Sequence, residues 1–551
     1  MAYSVRKIDG DEAEIAEKVL RLLVRVVLAI IGKMGLKAFL GTLATLLLII
    51  AAVTYFASPA LFSNLFYQSI IVYWPYVLIV VLVFSFLLVP IIGLVQNRDY
   101  GARGWVLLLL AIAVTWLGFN SVSSVSSYYT YTQLARFADR TALLMTNPEV
   151  MRYTPRENAY NEIAQTISVA SEAVRPEDTV PFVTDSGFSY AVQITPHDGL
   201  IPYNAFVTRN PGYVLYHDDQ HHVGTRVERI AAEQVYGLRK AWFLDAWWRV
   251  YQQDRFSIFE DPHYIEVENA DGVREYLTIF PQIKHHYWRL PYWAGIAAVH
   301  ADGTVELLTV DQVIADPRFE NKWVAPLQLL RRYTEDQTMQ AGFWANWLGV
   351  KSSGRQTIPE LPGDNQYPFF TVAADGTPYA YVTTKPVGDG DGLSTIYYQN
   401  LATGELTRHH FTDAVVYGVS AALARVTSIG GYTWYTRSGD SASGQMIATE
   451  PVYIVRPTEP GKIYWKVTIT NREYKGVAAQ VVFDATDVSQ FTIFENDETG
   501  RNAFYAWLRG ASVTTTTDSS GDLYEQLEFH LSEAAKHQAE AARIAEELRL
   551  Q

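Results

Sequence analysis

The sequence predicts a membrane-anchored α+β fold: three transmembrane helices, then an extracytoplasmic domain of repeated modules, each of two hairpins plus a helix, and a C-terminal helix. Three observations predict it. Residues 38–97 contain no Asp, Glu, Lys or Arg, and a membrane span needs about 20 mostly apolar residues to cross about 30 Å of hydrocarbon. Basic residues collect at one side of the expected spans, as they do on cytoplasmic faces. From residue 181 onward, short alternating stretches bounded by Gly, Asp and Pro recur, which is how internal repeats of β-hairpins are recognised.

Taken in order, residues 1–37 are expected to hold a cytoplasmic amphipathic helix. Ile15, Val19, Leu22, Leu23, Val26, Val27, Ile30 and Ile31 lie on one side of it, with Lys18, Arg21 and Arg25 at helical spacing. A basic amphipathic helix suits the surface of a lipid bilayer, and docking on a cytoplasmic partner protein is the alternative. Residues 38–120 form the expected three-helix anchor, with spans at 38–56, 70–95 and 105–119. Lys33 and Lys37 precede the first span, Arg98 and Arg103 lie between the second and third, and the loop between the first two holds neither Lys nor Arg. That asymmetry puts the N-terminus inside and everything after the third span outside. The first span begins too late and runs too long for a cleavable leader, so it is expected to act as its own insertion signal.

Residues 121–180 read as a helical stalk, with helices at 128–145 and 157–174 punctuated by Asn147, Pro148, Thr154 and Pro155. Four α+β modules follow, at 181–262, 263–367, 368–450 and 451–513. Their first hairpins begin at Pro181, His263, Pro368 and Pro451; their second hairpins occupy 203–219, 295–311, 394–413 and 478–497. Gly supplies the positive φ that tight turns need, and alternation gives each strand two distinct faces. One hairpin is marginal in water, whereas stacked units bury one another. The second-hairpin turns Asp484-Ala485-Thr486 and Ala402-Thr403-Gly404-Glu405 resemble those of PepSY-type periplasmic domains, a short resemblance that carries no catalytic motif. Residues 514–551 are a Thr- and Ser-rich linker and an interaction helix, in which Tyr524, Leu527, Leu531 and Leu548 lie on a three-four seam.

Composition bounds the chemistry. The net charge of −14 argues against nucleic acid as a partner, because a phosphate-binding face needs a basic surplus. Absence of Cys removes disulfides, thiolate metal sites and a Cys nucleophile. The densest polar cluster is at 216–222, where alternation places His217, Asp219 and His221 on one face, a set that two His and one carboxylate make able to bind a metal. The blander reading is a solvated strand end, since only His409, His410 and Asp413 in the third module are comparable. The GDGDG run at 388–392 has Asp spacing of a calcium loop but no downstream Glu, and reads as a hairpin loop. His285 and His286 beside Tyr287, Trp288 and Trp293 read as an aromatic packing surface, and the aromatic runs Trp242, Trp247, Trp248, Tyr251 and Phe343, Trp344, Trp347 as the helix-to-sheet core of each module, with interface anchors as the alternative.

No cofactor is implied by any motif. The resulting expectation is a non-catalytic structural or adaptor subunit of a membrane or cell-envelope assembly, a homo- or hetero-oligomer with envelope proteins and the lipid bilayer as partners. Two alternatives belong to other classes: a membrane-bound metal-dependent ectoenzyme using the His217 cluster, and a membrane sensor whose modules bind a ligand.

Overall fold

A computed structural model describes residues 36–63, Tyr67 and most of 137–517, the longest exceptions in that last range being 197–209 and 338–355. The architecture is predominantly β-sheet. Among the described residues no helix is long and apolar enough to cross a membrane. This corrects the expected three-span anchor, the membrane and multi-pass assignment, and the integral-membrane localisation with a cytoplasmic N-terminus. The first expected span lies within the helix Leu36–Ala57, and the physical reason for the correction is visible at its C-terminal end, which docks onto the β-domain. Thr54 and Ser63 are buried, Ser63 Oγ donates to the Ser257 carbonyl at 2.6 Å, and Arg255 donates to the Tyr55 carbonyl at 3.1 Å while covering the Tyr55 ring. The apolar run is therefore partly spent on intramolecular packing. The other expected spans, at 70–95 and 105–119, and the amphipathic helix at 11–33 lie outside the described residues, as does the terminal seam of Tyr524, Leu527, Leu531 and Leu548.

Each pair of hairpins closes into one antiparallel meander. The first sheet runs Val180–Thr184, Gly187–Gln193, Tyr213–His217, Arg226–Ile230; its second hairpin thus joins 213–217 to 226–230 and not the expected 203–219. The second runs His263–Glu268, Arg274–His286, Leu290–Val299, Val305–Thr309. The third runs Phe369–Val372, Pro378–Pro386, Thr395–Asn400, Leu406–His410, and the fourth Met446–Ile454, Tyr464–Asn471, Val477–Asp484, Asp487–Glu495. Gly303 and Gly404 sit in the turns with φ of 89° and 75°, a conformation a side chain would strain.

The helices fill the gaps between sheets. Ala246–Gln253, N-capped by Asp245, packs Val250 and Tyr251 with Phe259 and Phe280 of the second sheet, while Trp247 lies edge-on to Phe280 at 4.9 Å. Val310–Ala315, opened by a capping box of Thr309 and Gln312, closes the opposite face with Ile265, Ile279 and Val313. The largest core joins the inner faces of the first, third and fourth sheets through Tyr190, Tyr216, Tyr381, Tyr397, Tyr453 and Trp465. Burial of each such aromatic contributes about 2–3 kcal/mol.

The segment expected to be a helical stalk contributes to this core. Its described part has one α-helix, Arg156–Thr166, and short 3₁₀ turns at Pro148–Val150 and Pro176–Asp178; Phe137 to Pro155 is otherwise largely extended, with one strand at Ala138–Asp139 pairing parallel to the third sheet. Thr146 N donates to the Val455 carbonyl and Asn147 N to the Val372 carbonyl. Residues 143–155 thus form a strap threaded between the third and fourth sheets, and neither periodicity nor composition marks such a path.

Candidate functional site: a cleft beside the strap

The strap is held by groups from separate sheets. Asp218 is buried at the end of the first sheet, where its carboxylate accepts from Tyr153 N at 2.5 Å, Thr154 N at 2.7 Å and Thr154 Oγ1 at 2.9 Å. The fourth sheet and the helix Glu498–Leu508 after it hold the carbonyls: Lys466 Nζ donates to Arg152 O at 3.1 Å and Gln480 Nε2 to Tyr153 O at 2.6 Å from the sheet, and Tyr505 OH to Met151 O at 3.0 Å from the helix. Tyr190 OH donates to Thr154 O at 2.9 Å. An extended segment without neighbouring strands leaves its N–H and C=O groups unmet, and these side chains meet them.

Beside the strap lies a cavity of about 260 Å³. Arg152 and Arg156 come from the strap and its following helix, Glu177 from the turn Pro176–Asp178, Tyr190, Glu260 and Asp261 from the first module, Trp323, Arg331 and Tyr367 from the second, and Phe369 and Phe370 from the third. Arg152 is buried and stands 3.5 Å from the buried Glu450 carboxylate, with its guanidinium over the Phe369 ring at 5.5 Å. Its Nε and Nη2 make no hydrogen bond among the described residues. Burial opposes the charge on Arg152, yet Glu450, Tyr190 and Tyr381 hold its pKa above the ordinary range. Burial pushes the Glu450 carboxyl up, with Arg152 opposing, and the Glu450 backbone is held at φ 48°, a left-handed conformation that costs a non-glycine residue about 1–2 kcal/mol. Burial, reinforced by Arg152, pushes Lys466 down to about 8. Glu260 is pushed up to about 8 by burial, although Gln328 and Leu327 N–H groups lower it.

A larger cavity of about 510 Å³ lies on the fourth sheet, but its charges are paired with one another: Lys462 with Asp484 at 2.9 Å, Tyr464 with Glu459 at 2.5 Å, and Arg456 with Glu459. The smaller cleft has the buried cation with unmade donors, and is the better candidate.

Of the residues singled out as metal ligands, His217 is described and Asp219 and His221 are not. His217 has both ring nitrogens engaged, Nδ1 with Ser189 Oγ at 3.1 Å and Nε2 with Glu228 at 2.9 Å. Among the described residues no group of three or more His, Asp or Glu is arranged to hold a metal. His409 Nδ1 faces the Arg140 carbonyl, and His410 faces Thr395. Asp391 of the GDGDG run pairs with Lys385 at 2.6 Å. Trp293 donates to the Gly295 carbonyl and packs on the core, and the His285 ring meets Tyr67 edge-on. Arg152, Asp218 and Glu450 carried no motif. The one signal for them is Lys466-Val467-Thr468-Ile469-Thr470, whose polar alternate positions are all buried, so the face opposite them had to be polar as well.

The chain is thus a multi-sheet β protein with a cleft at the junction of three modules. No protein family, no curated protein and no solved structure matches it.

Proposed function

We propose that this chain is a non-catalytic structural or adaptor subunit, presenting a rigid multi-sheet domain to other protein chains. The observation that carries the reading is the outer side of the helix Leu36–Ala57. Leu48, Ile49, Val53 and Phe56 are each more than half exposed, and they fall on one side of a helix whose far end is anchored through Arg255 and Ser257. Apolar surface held out this way marks a contact site. Its branched and aromatic side chains suit ridge-into-groove packing against an apolar helix of another subunit. The polar groups of the interior support the non-catalytic reading, since Asp218, Lys466 and Gln480 are spent on holding backbone. The terminal seam of Tyr524, Leu527, Leu531 and Leu548 belongs to the same proposal as a second contact.

The test is native mass measurement of the full chain and of the double variant Leu48→Glu, Val53→Glu. Loss of assembled mass with an unchanged melting temperature supports the adaptor role. Retention of full assembled mass by the variant, or a wild type that stays a single chain throughout, overturns it.

A further inference from the structure

We propose that the helix Leu36–Ala57 pairs end for end, across a two-fold axis, with the same helix of a second copy of this chain, a pairing that rests on the adaptor reading of this helix and names its partner. Three observations lead there.

The first is how the open face is divided along the helix. At 3.6 residues per turn, Leu48, Ala52, Thr45, Phe56, Ile49 and Val53 fall in that angular order within about 140° of the circumference, and all six are exposed. Gly41 falls inside the same arc. Small residues, Gly41 and Thr45, hold its N-terminal half, and large ones, Val53 and Phe56, its C-terminal half. Turning a second copy end for end about a point between residues 48 and 49 sets its Phe56 opposite Gly41 and its Ala52 opposite Thr45, so the bulk of each copy meets the hollow of the other. A two-fold contact requires this self-complementarity. A Cβ at Gly41 would meet nothing within 4 Å, so its own chain gives no steric reason for a glycine that weakens the helix relative to Ala; close approach from outside does. Thr45 Oγ1 donates to the Gly41 carbonyl at 2.9 Å, so covering the face strands no donor on that hydroxyl.

The second is area. Leu48, Ile49, Val53 and Phe56 are 70%, 54%, 58% and 74% exposed, and with Ala52 and Thr45 they leave roughly 500 Å² of one chain in water, taking about 150–200 Å² for a large side chain in full. A two-fold contact uses that face twice, about 1,000 Å² in all, the size at which a specific interface begins.

The third is charge. Lys37, in the first turn, is the single charged residue of the helix. Side-by-side parallel pairing would set two Lys37 together and bring both β-domains, anchored through Arg255 and Ser257, to one end. End-for-end pairing separates the two lysines by about 35 Å along the axis, several screening lengths at physiological salt, and sends the β-domains to opposite ends.

The experiment uses the full chain, which has no Cys, so an introduced thiol is its only one. Under mild oxidation Ile49→Cys is expected to give a cross-linked dimer. Thr45→Cys or Ala52→Cys alone should give none, because each residue lies about 10 Å along the axis from its own copy, beyond the roughly 7 Å that a disulfide spans between Cα atoms. Mixing the Thr45→Cys and Ala52→Cys chains restores a cross-link. Gly41→Leu, with no neighbour of its own chain to disturb, keeps the wild-type melting temperature and weakens the dimer at least tenfold. Thr45→Cys cross-linking to itself as readily as Ile49→Cys overturns the pairing, and so does Gly41→Leu with unchanged dimer affinity. An assembly that holds a different protein and gives no cross-link through Ile49→Cys overturns the pairing and leaves the adaptor reading standing. A wild type that stays a single chain, as it would with residues 70–95 of the same chain seated on the face, overturns both.

Discussion

The second and fourth sheets have the same four-stranded meander and differ in what covers them. Residues of the second sheet are apolar on both faces, Ile265, Leu277, Ile279 and Ile296 on one and Phe280, Ala297 and Val299 on the other, and a regular helix closes each side. On the fourth sheet, Trp465, Val467 and Ile469 alternate with Lys466, Thr468 and Thr470, and both sets are buried. The polar set faces the strap and its following helix, where Asn158 Nδ2 donates to Thr470 Oγ1 at 2.9 Å. A helix satisfies its own backbone and presents only side chains, so an apolar face suffices to receive it. An extended strap brings bare N–H and C=O groups, so the surface that receives it must supply donors and acceptors. Sheet composition follows the kind of backbone that covers it.

Substitutions that break one side of this comparison should leave the other intact. The largest effect is expected for Asp218→Ala. Three hydrogen bonds to the strap are lost and Arg501, 3.9 Å away, is left without that carboxylate, a loss of about 3–5 kcal/mol. Chemical denaturation of the full chain measures it, and hydrogen exchange should rise along 151–154 and the fourth sheet before the second. Equal loosening of the second sheet would contradict the division of roles.

The second sheet has its own weak point, in acid. His263 is buried, and burial pushes its pKa down to about 3, although the Trp323 carbonyl opposes the shift. The folded value lies below the unfolded one of about 6.5, so the unfolded chain binds the proton first. Stability from the neutral ring is complete above about pH 6.5 and is lost as pH falls toward 3, at about 1.4 kcal/mol per unit. His263→Leu should flatten that loss, read as the wild-type minus variant difference in unfolding free energy across pH 3–7. Parallel curves would refute a neutral buried histidine.

The joint between second and third modules should respond less. A Cβ at Gly404 would stand 2.6 Å from the Trp293 ring, and the residue has φ 75°. Gly404→Ala is expected to cost about 1–3 kcal/mol, with altered Trp fluorescence and an unchanged fourth sheet by hydrogen exchange. Last comes His217→Ala, at the end of its strand and bonded to Ser189 and the exposed Glu228. Less than about 1 kcal/mol is expected, with no change in metal content. Stoichiometric metal lost in this variant would restore the ectoenzyme alternative.

What the sequence determined by itself was local. Strand alternation and Gly at the positive-φ turns depend on residues a few positions apart, and such terms are readable in a single chain. The long apolar run at 38–97 was equally plain, but its use was not, because the docking of Tyr55 and Ser63 onto Arg255 and Ser257 joins residues nearly two hundred apart. The extended course of 143–155 was decided only in the tertiary structure, where Val372, Val455 and Asp218 bind backbone atoms whose own neighbours offer no regular partner. The cleft was hidden for the same reason. Arg152 lies in the strap, Trp323 and Arg331 in the second module and Phe369 in the third, none forms a motif with its neighbours in sequence, and only the packing of the sheets brings them to one space.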